Sequence, residues 1–282
     1  MTGPKLEHVA RLGYAARGAV YCLVGGLALM AAIGSGGDAG GNQSALQSLL
    51  SQPLGWVLLG IIAIGLACHA FWRFVESLTD ADHRGTSAKA LAVRGAHLIS
   101  GVASAGLAIS AASMALGRAA ASGGGDNQAA QDWTAWLLSQ PFGQILTGIV
   151  GAAVIAAGFV FVGKGWRGDV TKHLKMTDAI CRWAVPLGRL GYAARGVVFF
   201  IIGGFLIMAA IRASSAEAKG LGGALDTLRE QPYGWVLLAL TAAGFIAFGL
   251  FGIAQARYRH IDAPDAGDMK RAATRHVGAL RS

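Results

Sequence analysis

The chain has 282 residues, 14% charged and 54% apolar, with a mean hydropathy of +0.50 and a formal net charge of +9. A water-soluble protein of this length carries nearer a quarter charged residues, so the composition points to a membrane protein. The positive charge does not argue for nucleic acid, because the basic residues lie between apolar runs without interleaved aromatics; the three cysteines offer neither an even disulfide framework nor a zinc spacing.

Six apolar runs, at roughly 12 to 34, 54 to 75, 92 to 116, 142 to 163, 190 to 211 and 233 to 254, are each long enough to cross about 30 Å of hydrocarbon as a helix. The octapeptide RLGYAARG opens the first at Arg11 and recurs letter for letter at Arg189, opening the fifth; a degraded copy, KALAVRG, starts at Lys89. The near-duplicate of the first run lies deep in the chain, where no signal peptide can be, so the first run reads as a retained helix. A second signal precedes the even-numbered runs: SQPLGW at Ser51, SQPFGQ at Ser139 and EQPYGW at Glu230.

This spacing predicts an all-α membrane protein of six transmembrane helices, built from three tandem two-helix repeats at 1–86, 87–169 and 170–258, with a basic tail at 259–282. A unit with two crossings returns to its starting side, so the repeats are parallel. An approximate threefold bundle is expected, although a row of three hairpins satisfies the same pattern. The recurring Gly13, Gly18, Gly95, Gly191 and Gly196 read as packing positions, as do the corners Gln52, Pro53, Gly55 and Trp56; Gln140, Pro141 and Gly143; and Gln231, Pro232, Gly234 and Trp235. Helices in lipid associate through close approach at small residues. The middle copy departs from the others: Leu91 replaces Tyr14 and Tyr192, and Gln144 replaces Trp56 and Trp235. If one repeat differs for function, it is this one.

With the arginines near the ends of the runs counted with the segments they flank, twenty of the 24 Lys and Arg fall in the N-terminus, the second and fourth connections and the tail, which places both termini in the cytoplasm. Each outer connection has a Gly-rich lead and a short amphipathic stretch, expected to lie on the surface with leucines, or Trp133 and Trp136, towards lipid. In the tail, Asp268 is a candidate cap for an amphipathic helix; a weaker stripe from Val170 to Ala184 ends at Pro186. No Asp or Glu lies inside the six runs as drawn, and no proline interrupts them, which argues against ion-coupled transport and against broken transporter helices.

Arg17, Arg94 and Arg195 stand one per repeat, each about a turn inside its helix. Such arginines reach headgroup phosphates by snorkelling. Turned instead towards the pseudo-axis, with Tyr14 and Tyr192 three residues earlier on the same face, they form an anion or lipid-headgroup site. His69, His97, Cys68 and Cys22 fall at comparable depth and are donor types that suit a metal or haem. Neither histidine recurs in another repeat, however, and no cofactor is expected. No catalytic motif is present, so no enzyme activity is expected.

The GYAARG-like start and QPxGxxLL-like corner, best matched at Gly13, Tyr14, Arg17, Gly18, Gln231, Pro232, Gly234 and Trp235, resemble the bacterial membrane-protein family known as domain of unknown function 1206. The resemblance covers roughly residues 9 to 258. It implies the tandem-repeat fold and a bacterial cytoplasmic membrane, and carries no catalytic residue. Two functions stay open: a non-catalytic component that binds membrane lipids or a membrane-protein partner, self-association included, and a channel or facilitator for a small or anionic solute. A channel needs a continuous polar lining, and the polar residues inside the runs (Ser100, Ser104, Ser110, Ser113, Gln144, Thr147 and Thr241) are scattered.

Overall fold

The computed structural model describes residues 3–37, 39–79, 87–118, 125–168 and 178–258. The expected tail helix and most of the stripe from Val170 fall outside them. Among the described residues six helices are long and apolar enough to cross a membrane: α1 (Gly3–Ala32), α3 (Gly55–Thr79), α4 (Ala88–Ala115), α6 (Gly143–Arg167), α7 (Asp178–Arg212) and α9 (Gly234–Tyr258). Three short helices join them in pairs at one end: α2 (Gly41–Leu50), α5 (Asp126–Leu138) and α8 (Leu221–Arg229). We call the end carrying the short helices apical and the other basal.

The helices extend beyond the apolar runs, and three of these extensions bear on the site. Helix α1 begins at Gly3, so Arg17 lies 14 residues, or about 21 Å, from its start. Helix α7 runs from Asp178 through Pro186, a proline inside a helix where none was expected, and puts Arg195 at its midpoint. Helix α3 continues to Thr79 and takes Glu76 into the span. Hydropathy marks only the apolar middle of a helix and misses a polar end that other helices cover.

Each Gln-Pro-x-Gly corner closes with a hydrogen bond from the glycine N–H to the glutamine carbonyl, at 2.9, 2.9 and 2.7 Å in chain order. The third residue of the corner, Leu54, Phe142 or Tyr233, has φ near +60°, a region that costs a bulky side chain energy. The glycine follows because a Cβ there would meet the last carbonyls of the short helix: 2.4 Å from Leu49 O, 2.3 Å from Leu138 O and 2.0 Å from Arg229 O.

The octapeptide places small residues on two faces of its helix. Towards the second span of its own repeat, Gly13 lies against the backbone of His69 and Ala16 fills the notch at Gly65; the third repeat matches this with Gly191 on Phe248 and Ala194 at Gly244. Towards the neighbouring repeat, Gly18 meets Gly249 O, and Gly196 meets Gly158 O. Seams therefore run α4–α3–α1–α9–α7–α6. The three between repeats (α3–α4, α6–α7 and α9–α1) are equivalent, as a pseudo-threefold bundle requires.

The ring is not complete. Among the described residues α4 and α6, the two spans of the middle repeat, share no packing seam. The cause is local: Ala90, Val93 and Ala153 stand where the other repeats have Gly13 or Gly191, Ala16 or Ala194, and Gly65 or Gly244. Each change adds methyl groups where helices must approach to backbone distance. Helix α6 is held along one stripe, with Gly151, Gly158 and Gly165 against α7. Only 17% of its most apolar stretch is buried, against 33 to 50% for the other spans.

At the apical end the connections double back. A Cβ on Gly37 would lie 2.8 Å from Leu27 O, and Lys219 Nζ stands 4.7 Å from the ring of Phe205, about 10 Å below the end of α7. The short helices therefore start inside the bundle and climb outwards. Leu46, Leu225 and Leu228 turn into the core rather than towards lipid, against the sequence expectation, while Trp133 and Trp136 on α5 are exposed as expected. The N-termini of α2, α5 and α8 meet, and α5 joins the other two. Its Asp126 carboxylate accepts the N–H groups of Asn42 and Gln43, at 2.7 and 3.2 Å, and Asn127 Oδ1 accepts those of Gly220 and Gly223, both at 2.9 Å. These are caps supplied by one repeat to the other two.

Candidate functional site

Arg17 and Arg195 occupy equivalent positions on α1 and α7, and both guanidinium groups turn to the interior. They stand 5.7 and 5.3 Å from the ring centre of Tyr21, one helical turn apical of Arg17. Arg17 Nη1 lies 2.9 Å from His69 Nε2 and donates to Ser100 Oγ at 3.3 Å, so α1, α3 and α4 meet there. Arg73 Nε donates to the same His69 nitrogen at 3.4 Å. A guanidinium can only donate, so this ring nitrogen is the acceptor for both arginines.

Arg195 has a different setting. It is 9% exposed, and the place that His69 takes beside Arg17 is taken here by Phe248. Four rings surround its guanidinium carbon: Phe161 and Phe248 at 4.7 Å, Tyr21 at 5.3 Å and Phe199 at 5.5 Å. Its Nε has no hydrogen-bond partner, and no carboxylate pairs with it among the described residues. Aromatic faces attract a cation by about 2 kcal/mol each when desolvated. They do not replace the hydrogen bonds that a buried guanidinium gives up on leaving water.

Arg94, the third expected member, is elsewhere. Its Nε and Nη2 donate to Ser77 O and Leu78 O, at 2.7 and 3.2 Å, and so cap the basal end of α3. Arg11 does the same for α9, through Ala256 O and Arg257 O, and Arg189 for α6, through Gly165 O and Trp166 O. A cation at a helix C-terminus also complements its dipole. The middle repeat lacks a basic residue at the Arg11 position and uses Arg94 instead, which leaves a pair of arginines where three were expected. Tyr14 and Tyr192 lie outside the pair: Tyr14 sits edge-on to His69, and Tyr192 edge-on to Phe248, each 5.4 Å away.

The four candidate donors do not gather. His69 serves Arg17 and Arg73; His97 Nδ1 lies 3.7 Å from Glu76 Oε2; Cys22 faces Ile246 O; Cys68 is partly exposed. Among the described residues no three His, Cys, Asp or Glu side chains are grouped to hold a metal. The buried carboxylate is instead Glu76, 2% exposed, with Arg73 Nη1 at 2.8 Å and Tyr14 Oη donating at 3.4 Å. It stands one residue past the span drawn from hydropathy. Its spacing of three from Arg73 on a helix was the available signal.

Asp126, at the start of α5 and bound to the N-terminus of α2, lies on the apical side of Tyr21. Burial pushes its carboxyl above the ordinary range, partly offset by the N–H groups of Asn42 and Gln43. Along the axis the order is therefore a carboxylate, a tyrosine ring and two guanidinium groups.

The sequence profile described as Domain of Unknown Function (DUF1206) matches residues 12–80, 96–168 and 190–259. The chain belongs to this family. The three matches coincide with the three structural repeats. The chain is 35% identical over 263 residues to "Uncharacterized protein YxxB" of Bacillus subtilis (strain 168), covering 92% of this chain and 94% of that protein. No solved structure matches. The DUF1206 motif can now be read physically: Arg11 and Arg189 cap neighbouring helices, the glycines and alanines set interhelical distance, and Arg17 and Arg195 provide the interior charge.

Proposed function

We propose that this multi-pass membrane protein is a non-catalytic component that binds an anion, phosphate-like in chemistry, between Arg195 and Arg17. The observation that supports it is Arg195, a buried cation with an unmet donor and, among the described residues, no acid paired with it. A guanidinium in that state gains two or more charge-assisted hydrogen bonds from an oxyanion. Arg17, already oriented by His69 and Ser100, adds a second positive charge across Tyr21. The concentration of basic residues at the basal end favours a cytoplasmic location for that end, with the protein in the bacterial inner membrane.

A facilitator would need an open route to the apical side, where the starts of three short helices meet around Asp126. The binding reading is preferred for that reason. It is tested with the purified full-length protein and two probes, inorganic phosphate and phosphatidylglycerol, read by thermal shift. Stabilisation by either probe, lost in Arg195→Gln with Arg17→Gln, supports the reading. No stabilisation by either, or equal stabilisation of the variant, overturns it.

A further inference from the structure

We infer that the anion is the headgroup of an acyl-chain lipid that enters sideways from the bilayer, through the opening between α4 and α6. This rests on the anion reading above and adds the ligand's class and its route.

The helices that border the opening both reach the arginine pair. Phe161 of α6 is one wall of the box around Arg195, and Ser100 of α4 is the hydroxyl that Arg17 engages. Among the described residues, the side of the ring that lacks a seam is thus bordered by the two helices that touch the charged pair. Both helices are apolar where exposed, with Ile99 and Val102 on α4 and Val160 on α6, while Phe159 of α6 packs against Phe200 of α7. Acyl chains can lie against such surfaces, whereas a hydrated ion gains nothing from them.

Depth and charge point the same way. Arg17 lies six residues, about 9 Å, beyond Arg11, the arginine that caps α9 at the basal end. A phosphate held there draws its own chains into the level of the opening. A solute coming from the apical water instead meets the Asp126 carboxylate, which repels anions, before it reaches Tyr21 and the arginines. The occupant that fits both the apolar entrance and the cationic end is an anionic lipid.

The test uses full-length protein in micelles and a phosphatidylglycerol carrying a photoreactive group in one acyl chain, with labelled residues mapped by mass spectrometry. Labelling is expected on α4 and α6 around Ser100 and Phe161. Excess unlabelled phosphatidylglycerol should displace it and phosphatidylcholine should not. Arg195→Gln should lower it by about tenfold or more, as loss of a charged hydrogen-bond partner does. The competition needs only the wild-type protein, so a variant that fails to fold leaves the test intact. Labelling that is spread over all lipid-facing helices, or that phosphatidylcholine displaces equally, overturns the inference. If inorganic phosphate stabilises the protein through Arg195 while the photolipid labels indiscriminately, the anion reading survives and the lipid does not. If neither probe binds, both fall.

Discussion

His69 Nε2 stands 2.9 Å from Arg17 Nη1, and the residue equivalent to His69 in the third repeat, Phe248, stands against Arg195. One arginine has an internal acceptor and its counterpart has a ring face. Phe248→His restores the acceptor and should compete with an anion for Arg195. We expect phosphatidylglycerol affinity to fall by about tenfold, while the melting temperature holds or rises. Lipid titration and thermal unfolding of the same preparation check both halves.

Arg94→Ala should separate stability from binding. It removes two hydrogen bonds to the end of α3, a loss of about 1 to 3 kcal/mol, and leaves Arg17 and Arg195 in place. Unfolding in detergent should shift and lipid affinity should not. Loss of affinity in a folded Arg94→Ala protein would return Arg94 to the site.

Glu76→Ala should be the costliest change in the basal half. Arg73, its partner at 2.8 Å, has a side chain only 14% exposed, and removing one member of a buried pair costs about 3 to 5 kcal/mol. Glu76→Ala together with Arg73→Met should recover part of that loss, as a double-mutant cycle in thermal unfolding would show.

Gly244→Val places a branched side chain where a single Cβ would already lie 2.2 Å from Ala194 Cβ. Overpacking of this kind costs about 1 to 3 kcal/mol. Ala153→Val, at the equivalent position of the open middle repeat, should cost under about 0.5 kcal/mol. Comparable destabilisation by both would mean that α4 and α6 pack together in the membrane.

Asp126 predicts a pH dependence of defined sign. Because burial raises its carboxyl in the folded protein, the folded state binds the proton more tightly than the unfolded chain. Its contribution to stability is fully present below the ordinary carboxylate value, near pH 4, and is lost as pH rises through the raised value. Asp126→Asn keeps an oxygen for the α2 cap and carries no charge. It should flatten this part of the profile and match or exceed wild type at neutral pH, measured as melting temperature between about pH 4 and 7.

Much of the fold was legible because it rests on small residues at fixed spacing. RLGYAARG and Gln-Pro-x-Gly mark helix entry and corner, and the structure gives both a steric reason. The site was half legible. Arg17 and Arg195 do face the interior, but their depth was misjudged, since α1 and α7 extend beyond their apolar stretches. The position of Arg94 on the end of α3 was not legible, because the missing cap at the Arg11 position is visible only once helix ends are known to meet arginines. The His69-to-Phe248 exchange could have been read by counting from the tryptophans at Trp56 and Trp235, which each stand 13 residues earlier. The open side of the ring could not, because hydropathy does not say which helices touch.

The way the middle repeat is divided also constrains how the protein is made. Helix α4 docks on α3, which precedes it, whereas α6 finds its main partner only in α7, the next span to emerge. A nascent chain that has threaded four spans therefore holds α6 with one face unclaimed in the lipid. Assembly completes only when the third repeat arrives, and a piece truncated after residue 168 should be a substrate for quality-control proteolysis rather than a smaller working version.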